Sequence, residues 1–475
     1  MTISHTTAPI NLLPPETIGE ILSLVFPCRI ELVERNPYPW NLALVCKFWR
    51  DVAFSTPHLW STIIVHLDPL RRSRIDIRGD CLLAAWQLCL ERCGDCPLNI
   101  WIDATSSETM LFVSSLLEPL MARVEQWRKM TFGFPFDILV PFVLDPRLRF
   151  PQLKELTLRG RQPSLTLEVE EPPQYELFPH APVLSRIKFE EFSYTPGRLN
   201  FDWTRITDLT MFMTENSVDT VLYILEQTPH LSSFSFNKFL GPRASSSNDL
   251  RPRRQKPILE MKELRRLSWI TYMFDSSAFF NSISAPQLEG IEFRIDDDHW
   301  NKENLQGCLM RSGCKIEKAS LKVANSSTMV VEFLGIVGKD VKEVILTSTH
   351  LDEELMYGFG SGPVENWICP RMKRLVLVNC SMKEEGYLMF ARMVELRLRG
   401  PSASRIDSYL QSLEEEDGSG SFERSTLESV RIVAYPDECK NQFGMDRPYG
   451  LLKGELLEEE MKKVTFEKMT TFGES

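Results

Sequence analysis

Three short clusters in the chain hold residue types that can do chemistry. Cys89, Cys93 and Cys96 lie close together, and the last two form a C-x-x-C pair. A structural zinc site needs four ligands at matched spacings, and no second pair follows this one. A redox pair would need a thioredoxin-like βαβ setting, which the surrounding pattern does not predict. We therefore interpret these cysteines as buried thiols at the end of a helix.

The other two clusters are more typical of loops than of sites. Asp296–His299 (DDDH) could hold a metal ion, but adjacent acidic residues after a strand usually mark a solvated turn. Gly358–Gly362 (GFGSG) lacks the lysine of a phosphate-binding loop, and the nucleophile motif G-x-S-x-G does not occur. We therefore expect no enzyme, no metal and no cofactor. An enzyme whose site is assembled only in three dimensions stays open as an alternative.

Composition indicates a folded protein without a membrane span. Of the 475 residues, 43% are hydrophobic and 25% are charged. The net charge of −11 argues against general nucleic-acid binding, for which the basic segment 243–256 is the weakest alternative. No apolar run is long enough for a membrane helix, and no secretory signal is visible. The eleven cysteines fit reduced thiols, so we expect a cytoplasmic or nuclear protein.

One pattern organises most of the chain: an apolar residue, two polar residues, then two apolar residues separated by one position. Its twelve copies begin at Trp127, Leu153, Leu184, Ile206, Leu231, Leu264, Leu288, Ile316, Val341, Met372, Met393 and Leu427. The mean period is about 27 residues, and the pattern resembles the leucine-rich repeat. Amphipathic helices are predicted at Val218–Gln227, Ser276–Ile283, Thr328–Val337 and Arg405–Leu413. No single unit can bury its own apolar face, but stacked units bury a continuous one.

The fold prediction is therefore an α/β protein in two parts. An N-terminal trihelical module precedes a curved leucine-rich-repeat-like α/β solenoid, with parallel strands on the inner face. We predict boundaries at 1–62 for the module, 63–126 for a linker and capping units, 127–435 for the solenoid and 436–475 for a C-terminal cap. Helical spacing at Leu457, Met461 and Val464 predicts a helix in that cap.

The N-terminal module is predicted from four pieces of sequence. Leu13–Glu16 (LPPE) is typical of a helix start, and Ile18, Ile21 and Leu22 continue it as an apolar stripe. Val45–Trp49 (VCKFW) belongs to a second apolar stripe that runs from Leu42 to Ala53. Leu59 and Trp60 then close the module after a turn.

These pieces, in this order, resemble the F-box. The resemblance covers only about the first sixty residues, and the link at Cys28–Pro39 departs from the family in being long and charged. It implies docking onto a Skp-type adaptor and, through that adaptor, onto the cullin and RING subunits of a ubiquitin ligase. The residues that it places at or behind the adaptor contact are Leu13, Pro14, Glu16, Ile18, Leu22, Val45, Cys46 and Trp49. The alternative is a helical cap that only shields the end of the array.

The repeat array would then bind a protein target through side chains that point away from the core of the strands. We predict target contacts at Arg159, Lys373, Val376, Arg397, Arg399 and Arg431. The late units are basic, and arginine forks match carboxylates and phosphates, so an acidic or phosphorylated target is expected. A charged residue on a strand is, however, often only a solvated side chain. The sequence thus predicts the target-binding subunit of a ubiquitin ligase. The alternative is a repeat scaffold with no role in ubiquitination.

Overall fold

The computed structural model describes most of the chain, with gaps at both termini and between elements. The described residues are 9–25, 29–32, 39–67, 79–104, 107–143, 145–160, 175–178, 180–192, 199–214, 216–238, 257–271, 276–295, 302–323, 327–337, 340–361, 367–382, 386–399, 427–434 and 464–468. The chain divides into two compact units, Met1–Thr228 and Pro229–Ser475. This division falls inside the predicted solenoid.

The first unit alternates parallel strands with helices. Its strands are β1 (Ile30–Glu31), β2 (Thr62–His66), β3 (Leu98–Asp103), β4 (Trp127–Gly133), β5 (Glu155–Arg159), β6 (Tyr175–Glu176), β7 (Arg186–Glu190), β8 (Leu199–Asn200) and β9 (Asp208–Phe212). Its helices are α1 (Pro15–Val25), α2 (Trp40–Val45), α3 (Lys47–Ser55), α4 (Gly79–Arg92), α5 (Ser107–Met121), α6 (Phe136–Val143) and α7 (Val218–Gln227). The sheet order β1-β2-β3-β4-β5-β7-β9 follows the chain, and β6 pairs only with β8. All of these pairs are parallel.

The second unit has the same plan. Its strands are β10 (Ser233–Lys238), β11 (Leu259–Glu260), β12 (Arg266–Thr271), β13 (Ile283–Ser284), β14 (Gly290–Ile295), β15 (Lys318–Val323), β16 (Glu343–Thr347), β17 (His350–Leu351), β18 (Arg374–Val378), β19 (Ser381–Met382), β20 (Ser429–Ala434) and β21 (Val464–Lys468). Its helices are α8 (Ser277–Ser282), α9 (Lys302–Ser312), α10 (Ser327–Val337), α11 (Glu353–Met356) and α12 (Gly386–Arg399). The main sheet runs β10-β12-β14-β15-β16-β18-β20-β21, all parallel.

The apolar positions of the repeat pattern form continuous buried rows. In the second unit one row of paired residues is Phe234, Leu267, Ile291, Ala319, Val344, Leu375 and Val430. Helices cover this side of the sheet: the Phe279 ring of α8 stacks on Trp269 with centroids 3.9 Å apart, and Phe333 of α10 lies 6.0 Å from Phe293. Eleven of the twelve predicted units contain a strand at the predicted place. The prediction of an α/β protein with a long parallel sheet and alternating helices is confirmed, and this arrangement is consistent with leucine-rich-repeat-like units.

Two predicted elements are wrong. The unit beginning at Met393 lies in helix α12, whose residues Phe390, Met393, Val394 and Leu398 are buried. These positions follow the three- and four-residue steps of a helix, so the same apolar residues fit both periods. A helix was predicted in the C-terminal cap, but Val464–Lys468 form the strand β21. The backbone of β21 pairs in parallel with β20, with Val464 opposite Val430 and Phe466 opposite Ile432. The predicted helix Arg405–Leu413 lies outside the described residues.

A left-handed backbone turn follows several strands. The φ angles are +52° at Glu191, +52° at Met213, +53° at Ser348 and +51° at Asn379, each one residue after its strand, and Gly160 adopts +114° in the same place. Left-handed backbone is costly for residues with a Cβ and free for glycine. The repeats therefore hold local strain at equivalent positions, which only Gly160 avoids.

We expect Glu191→Gly to raise the free energy of unfolding by about 0.5–1 kcal/mol, because glycine removes the steric cost at φ +52°. The Glu191 backbone N–H donates to the Phe212 carbonyl, and this bond is kept in the variant. Urea unfolding of both proteins measures the difference. The matched control is Glu190→Gly within β7, which should lower stability because glycine weakens a strand. A Glu191→Gly variant less stable than the parent would contradict the expectation.

No helix among the described residues is both long enough and apolar enough to cross a lipid bilayer.

Candidate functional site

The N-terminal module contains the predicted helices, with one break that was not predicted. Cys46 has extended backbone (φ −159°, ψ 172°) and separates α2 from α3. Its Sγ caps α3 by accepting from the Trp49 backbone N–H at 3.5 Å. The Arg50 Nε donates to the Ala43 carbonyl at 2.9 Å, so a carbonyl near the end of α2 keeps a donor despite the break.

A small core holds the module together. Ile18, Leu22, Leu42, Val52 and Leu59 are all buried. Trp60 is fully buried as well: its indole N–H donates to the Ala53 carbonyl at 2.8 Å, and the Trp40 ring meets it edge-on at 4.8 Å.

Contacts from α1 and α4 fix the module in the first unit. Ser23 Oγ lies 2.5 Å from His58 Nε2, which joins α1 to the turn at Pro57–Trp60. The Arg92 guanidinium of α4 lies 3.7 Å from the centre of the Phe54 ring. Ile30 of β1 pairs with Ile63 of β2, so the module also joins the sheet. Its helices are therefore held on the repeat array within this unit.

Several large apolar side chains of the module face solvent. Their exposed fractions are 73% for Leu12, 37% for Leu13, 84% for Leu24, 77% for Leu44 and 60% for Val45. Singly exposed leucines are common, but these five all lie between residues 12 and 45, and this density favours a role in binding. We call these five residues the module surface.

The residues predicted for adaptor binding divide into two groups. Leu13, Pro14, Glu16 and Val45 are exposed, while Cys46 and Trp49 are half-buried, so all six can reach a partner. Ile18 and Leu22 are buried at 0% and 1% exposure and can only support the surface from behind. Leu12, Leu24 and Leu44 were not predicted. Each of them is an apolar residue outside the buried stripe of its own helix, and that position could have indicated an exposed apolar side chain.

On the strands of the first unit, charged side chains form a ladder on the side away from the core. Arg159 Nη1 lies 3.2 Å from Asp103 Oδ2 and Arg159 Nε lies 3.6 Å from Glu190 Oε2. Gly133 stands between Asp103 and Arg159 in the register, and an added Cβ there would come within 2.4 Å of Asp103 Oδ1. The missing side chain thus lets Arg159 and Asp103 meet across β4. The predicted target residue Arg159 is therefore already paired with two carboxylates.

The basic residues of the late units are paired in the same way. Lys373 Nζ donates to Glu428 Oε1 at 2.8 Å, and Arg374 Nη2 donates to Glu343 Oε2 at 2.8 Å. Burial alone would raise the pKa of Glu343, but hydrogen bonds from Arg374 and Lys318 outweigh it and the pKa is lowered. Glu343 therefore stays ionised and neutralises its neighbours. The late units therefore present less net positive charge to a partner than their lysines and arginines alone would indicate.

An apolar patch lies on the solvent side of the same strands. Ile345 pairs in register with Val376, and Val376 pairs with Arg431. Ile345, Val376 and Val378 are half-buried and Arg431 is exposed. We call these four residues the strand patch. Val376, predicted as a target contact, lies on the solvent side of its strand, and its role in binding stays a prediction.

The prediction that Arg397 faces a target is wrong. Arg397 lies on helix α12 and is 1% exposed. Its guanidinium donates to the carbonyls of Phe359 (2.6 Å), Ile368 (3.0 Å), Cys369 (3.1 Å) and Pro370 (3.4 Å). It also lies 4.2 Å from the Trp367 ring centre. Arg399, predicted for the same role, belongs to this helix and not to a strand.

The glycine-rich loop has a role in this arrangement. Gly360 has φ +148°, and a Cβ there would lie 3.3 Å from Arg397 Nε. The glycine therefore lets the 357–361 turn close over the guanidinium. Gly362 and the Asp296–His299 cluster lie outside the described residues.

The cysteine cluster shows no activated thiol. Cys89 and Cys93 are fully buried at the end of α4. Burial raises the pKa of Cys89 to about 12, and burial raises the pKa of Cys93 and of Cys96 as well. The thiolate is the form that attacks or binds metal, and it is disfavoured at all three. Within the described ranges, no group of three His, Cys, Asp or Glu side chains is placed to hold a metal ion.

No protein-family model matches the chain, and no curated protein matches its sequence significantly. The resemblance to the F-box therefore depends on the motif residues alone.

Proposed function

We propose that the protein is the target-binding subunit of a cullin–RING ubiquitin ligase, with its N-terminal module docked on a Skp-type adaptor. The observation that carries this proposal is the module surface. Five large apolar side chains face solvent on a segment whose core is already complete. The motif pieces Leu13–Glu16, Val45–Trp49 and Leu59–Trp60 resemble the F-box, a family that is expected to bind an adaptor through such a surface.

The arrangement of the module suits docking better than a cap. A cap that only closed the array would have no reason to expose Leu24 at 84% and Leu44 at 77%. The Trp60–Ala53 hydrogen bond and the contact of Arg92 with the Phe54 ring hold α3 and the turn at Pro57–Trp60 against α4. A surface that is formed before binding loses little conformational freedom when it binds.

The strand patch is the surface that we propose for the target. Ile345 and Val376 provide apolar anchors next to Arg431, and paired charges such as Lys318–Glu343 surround them. A few anchors inside a polar rim are the usual source of binding energy in protein interfaces. The protein would do no bond chemistry. It would hold a target at high effective concentration beside the ubiquitin-charged enzyme.

The test is binding of the purified full-length protein to a Skp-type adaptor, measured by isothermal titration calorimetry. We expect one-to-one binding with a dissociation constant of about 1 μM or tighter, as for a specific interface of standard size. No detectable binding would refute the proposal. The scaffold alternative would be favoured if the protein binds the adaptor but the cellular levels of its target proteins stay unchanged when it is depleted.

A further inference from the structure

An open cleft of about 390 Å³ lies in the first unit and shares no lining residue with the module surface. It is lined by Arg149, Pro151, His180, Ala181, Pro182, Asp202 and Arg205. These residues come from the three segments that lead into β5, β7 and β9. The repeat therefore brings equivalent positions of successive units together.

Buried neighbours in the chain anchor the lining residues. Phe150 and Trp203 lie directly beside lining residues in the chain and are buried at 0% and 3% exposure. The Phe150 backbone N–H donates to the His180 carbonyl at 2.9 Å, which joins two of the three segments.

Positive charge in the cleft exceeds negative charge. Arg149 has no ionic or hydrogen-bond partner within the part of the chain that the structure describes. Arg205 donates through Nε to Asp202 Oδ2 at 2.7 Å and through Nη1 to the Pro182 carbonyl at 3.1 Å. A hydrogen bond from Thr204, joined by those from Arg205, lowers the pKa of Asp202 despite its burial. Asp202 thus stays ionised and orients Arg205, while Arg149 keeps an uncompensated charge.

A hydrogen bond of His180 defines which of its two ring nitrogens carries the proton. Its Nε2 lies 3.1 Å from the Pro146 carbonyl, which can only accept, so Nε2 carries the proton. Nδ1 then remains as an acceptor for the hydroxyl of a phosphate monoanion. The nearby Asp145 does not compete for these groups, because Arg147 donates to both of its carboxylate oxygens.

We propose that this cleft binds a phosphate monoester. Guanidinium forks match phosphate oxygens, and two arginines beside a single carboxylate leave positive charge for an anion. The prolines on either side offer apolar walls for the carbon group of the ester. A phosphorylated side chain of a protein and a free small phosphate ester share this chemistry. If the source is a protein, the proposal rests on the target-binding function above.

The experiment measures binding to the full-length protein in three arms: inorganic phosphate, phenyl phosphate, and a peptide pool with central phosphoserine beside the same pool with serine. We expect saturable binding of phenyl phosphate that weakens about tenfold or more in Arg149→Ala. Arg128→Ala is the matched control, since Arg128 is an exposed arginine of the same unit outside the cleft. Its affinity should equal that of the parent.

Each outcome decides one point. Phosphopeptides that bind more tightly than phenyl phosphate identify a protein segment as the source, and the reverse order identifies a small ester. Absence of saturable binding in every arm overturns the proposal, as does equal affinity of the Arg149→Ala and parent proteins. Adaptor binding is measured on the same samples. If the protein does not bind the adaptor but still binds the phosphate ester, the ligase function is refuted and the proposal for the cleft stands.

Discussion

Replacing Arg397 by alanine should lower the free energy of unfolding of the second unit by about 3–5 kcal/mol, the range for removing one partner from a buried charged network. The guanidinium donates to four backbone carbonyls and contacts the Trp367 ring. Burial lowers the pKa of Arg397 to about 10, so the side chain remains charged at neutral pH. Alanine would remove these hydrogen bonds and leave a cavity beside Trp367, although the Cys369 carbonyl would keep the Met372 backbone N–H as a donor.

Three segments depend on this one side chain. Phe359 lies in the turn after α11, Ile368–Pro370 lead into β18, and α12 carries the arginine itself. Loss of the guanidinium should therefore loosen all three together. Hydrogen exchange followed by mass spectrometry on peptides that cover 353–361 and 386–399 measures this effect directly.

Arg371→Ala is the matched control for Arg397→Ala. Arg371 is 42% exposed and pairs with Asp340 at 2.6 Å, and an ion pair of this kind contributes about 0–1 kcal/mol. The two variants remove the same group from the same unit, but only one of them removes it from the core. Equal loss of stability in both would show that the Arg397 contacts do not support the fold.

The repeat pattern could be predicted because strand period and burial agree in it. Each unit places apolar residues two apart on a strand, and Phe189 and Met211 pair in register as that spacing requires. The helix α12 escaped prediction because Met393, Leu396 and Leu398 fit the strand pattern as well as a helix. A helix and a strand can be distinguished here only over a longer window that includes Phe390 and Val394, which fit the helical spacing.

The sites were less predictable because burial and pairing are properties of the fold. Arg397 has the sequence context of a solvent-facing strand residue, and nothing local shows that Phe359 and Ile368 come to meet it from distant segments. The partners of Arg159 and Lys373 are likewise remote in sequence, at Asp103 and Glu428. Conversely, Leu24 and Leu44 were overlooked because their helices already had a complete apolar stripe.

The double substitution Leu44→Asp and Val45→Asp should weaken adaptor binding by about a hundredfold or more. Burial of a large apolar side chain at an interface contributes about 1.5–3 kcal/mol, and two such losses exceed the roughly 2.8 kcal/mol that a hundredfold requires. Both side chains face solvent at 77% and 60%, so the folded protein alone should tolerate the change. Calorimetric titration with the adaptor measures the loss, and circular dichroism verifies the fold.

Met310→Asp controls for the change of an exposed apolar residue to an acid. Met310 is 75% exposed on α9 of the second unit, outside the module surface, so its variant should bind the adaptor as the parent does. If Leu44→Asp/Val45→Asp binds normally while remaining folded, the exposed end of α2 is not the docking surface. The contact would then have to be sought at Leu12, Leu13 and Leu24. If the Met310 variant loses binding equally, the effect is one of added negative charge and not of the module surface.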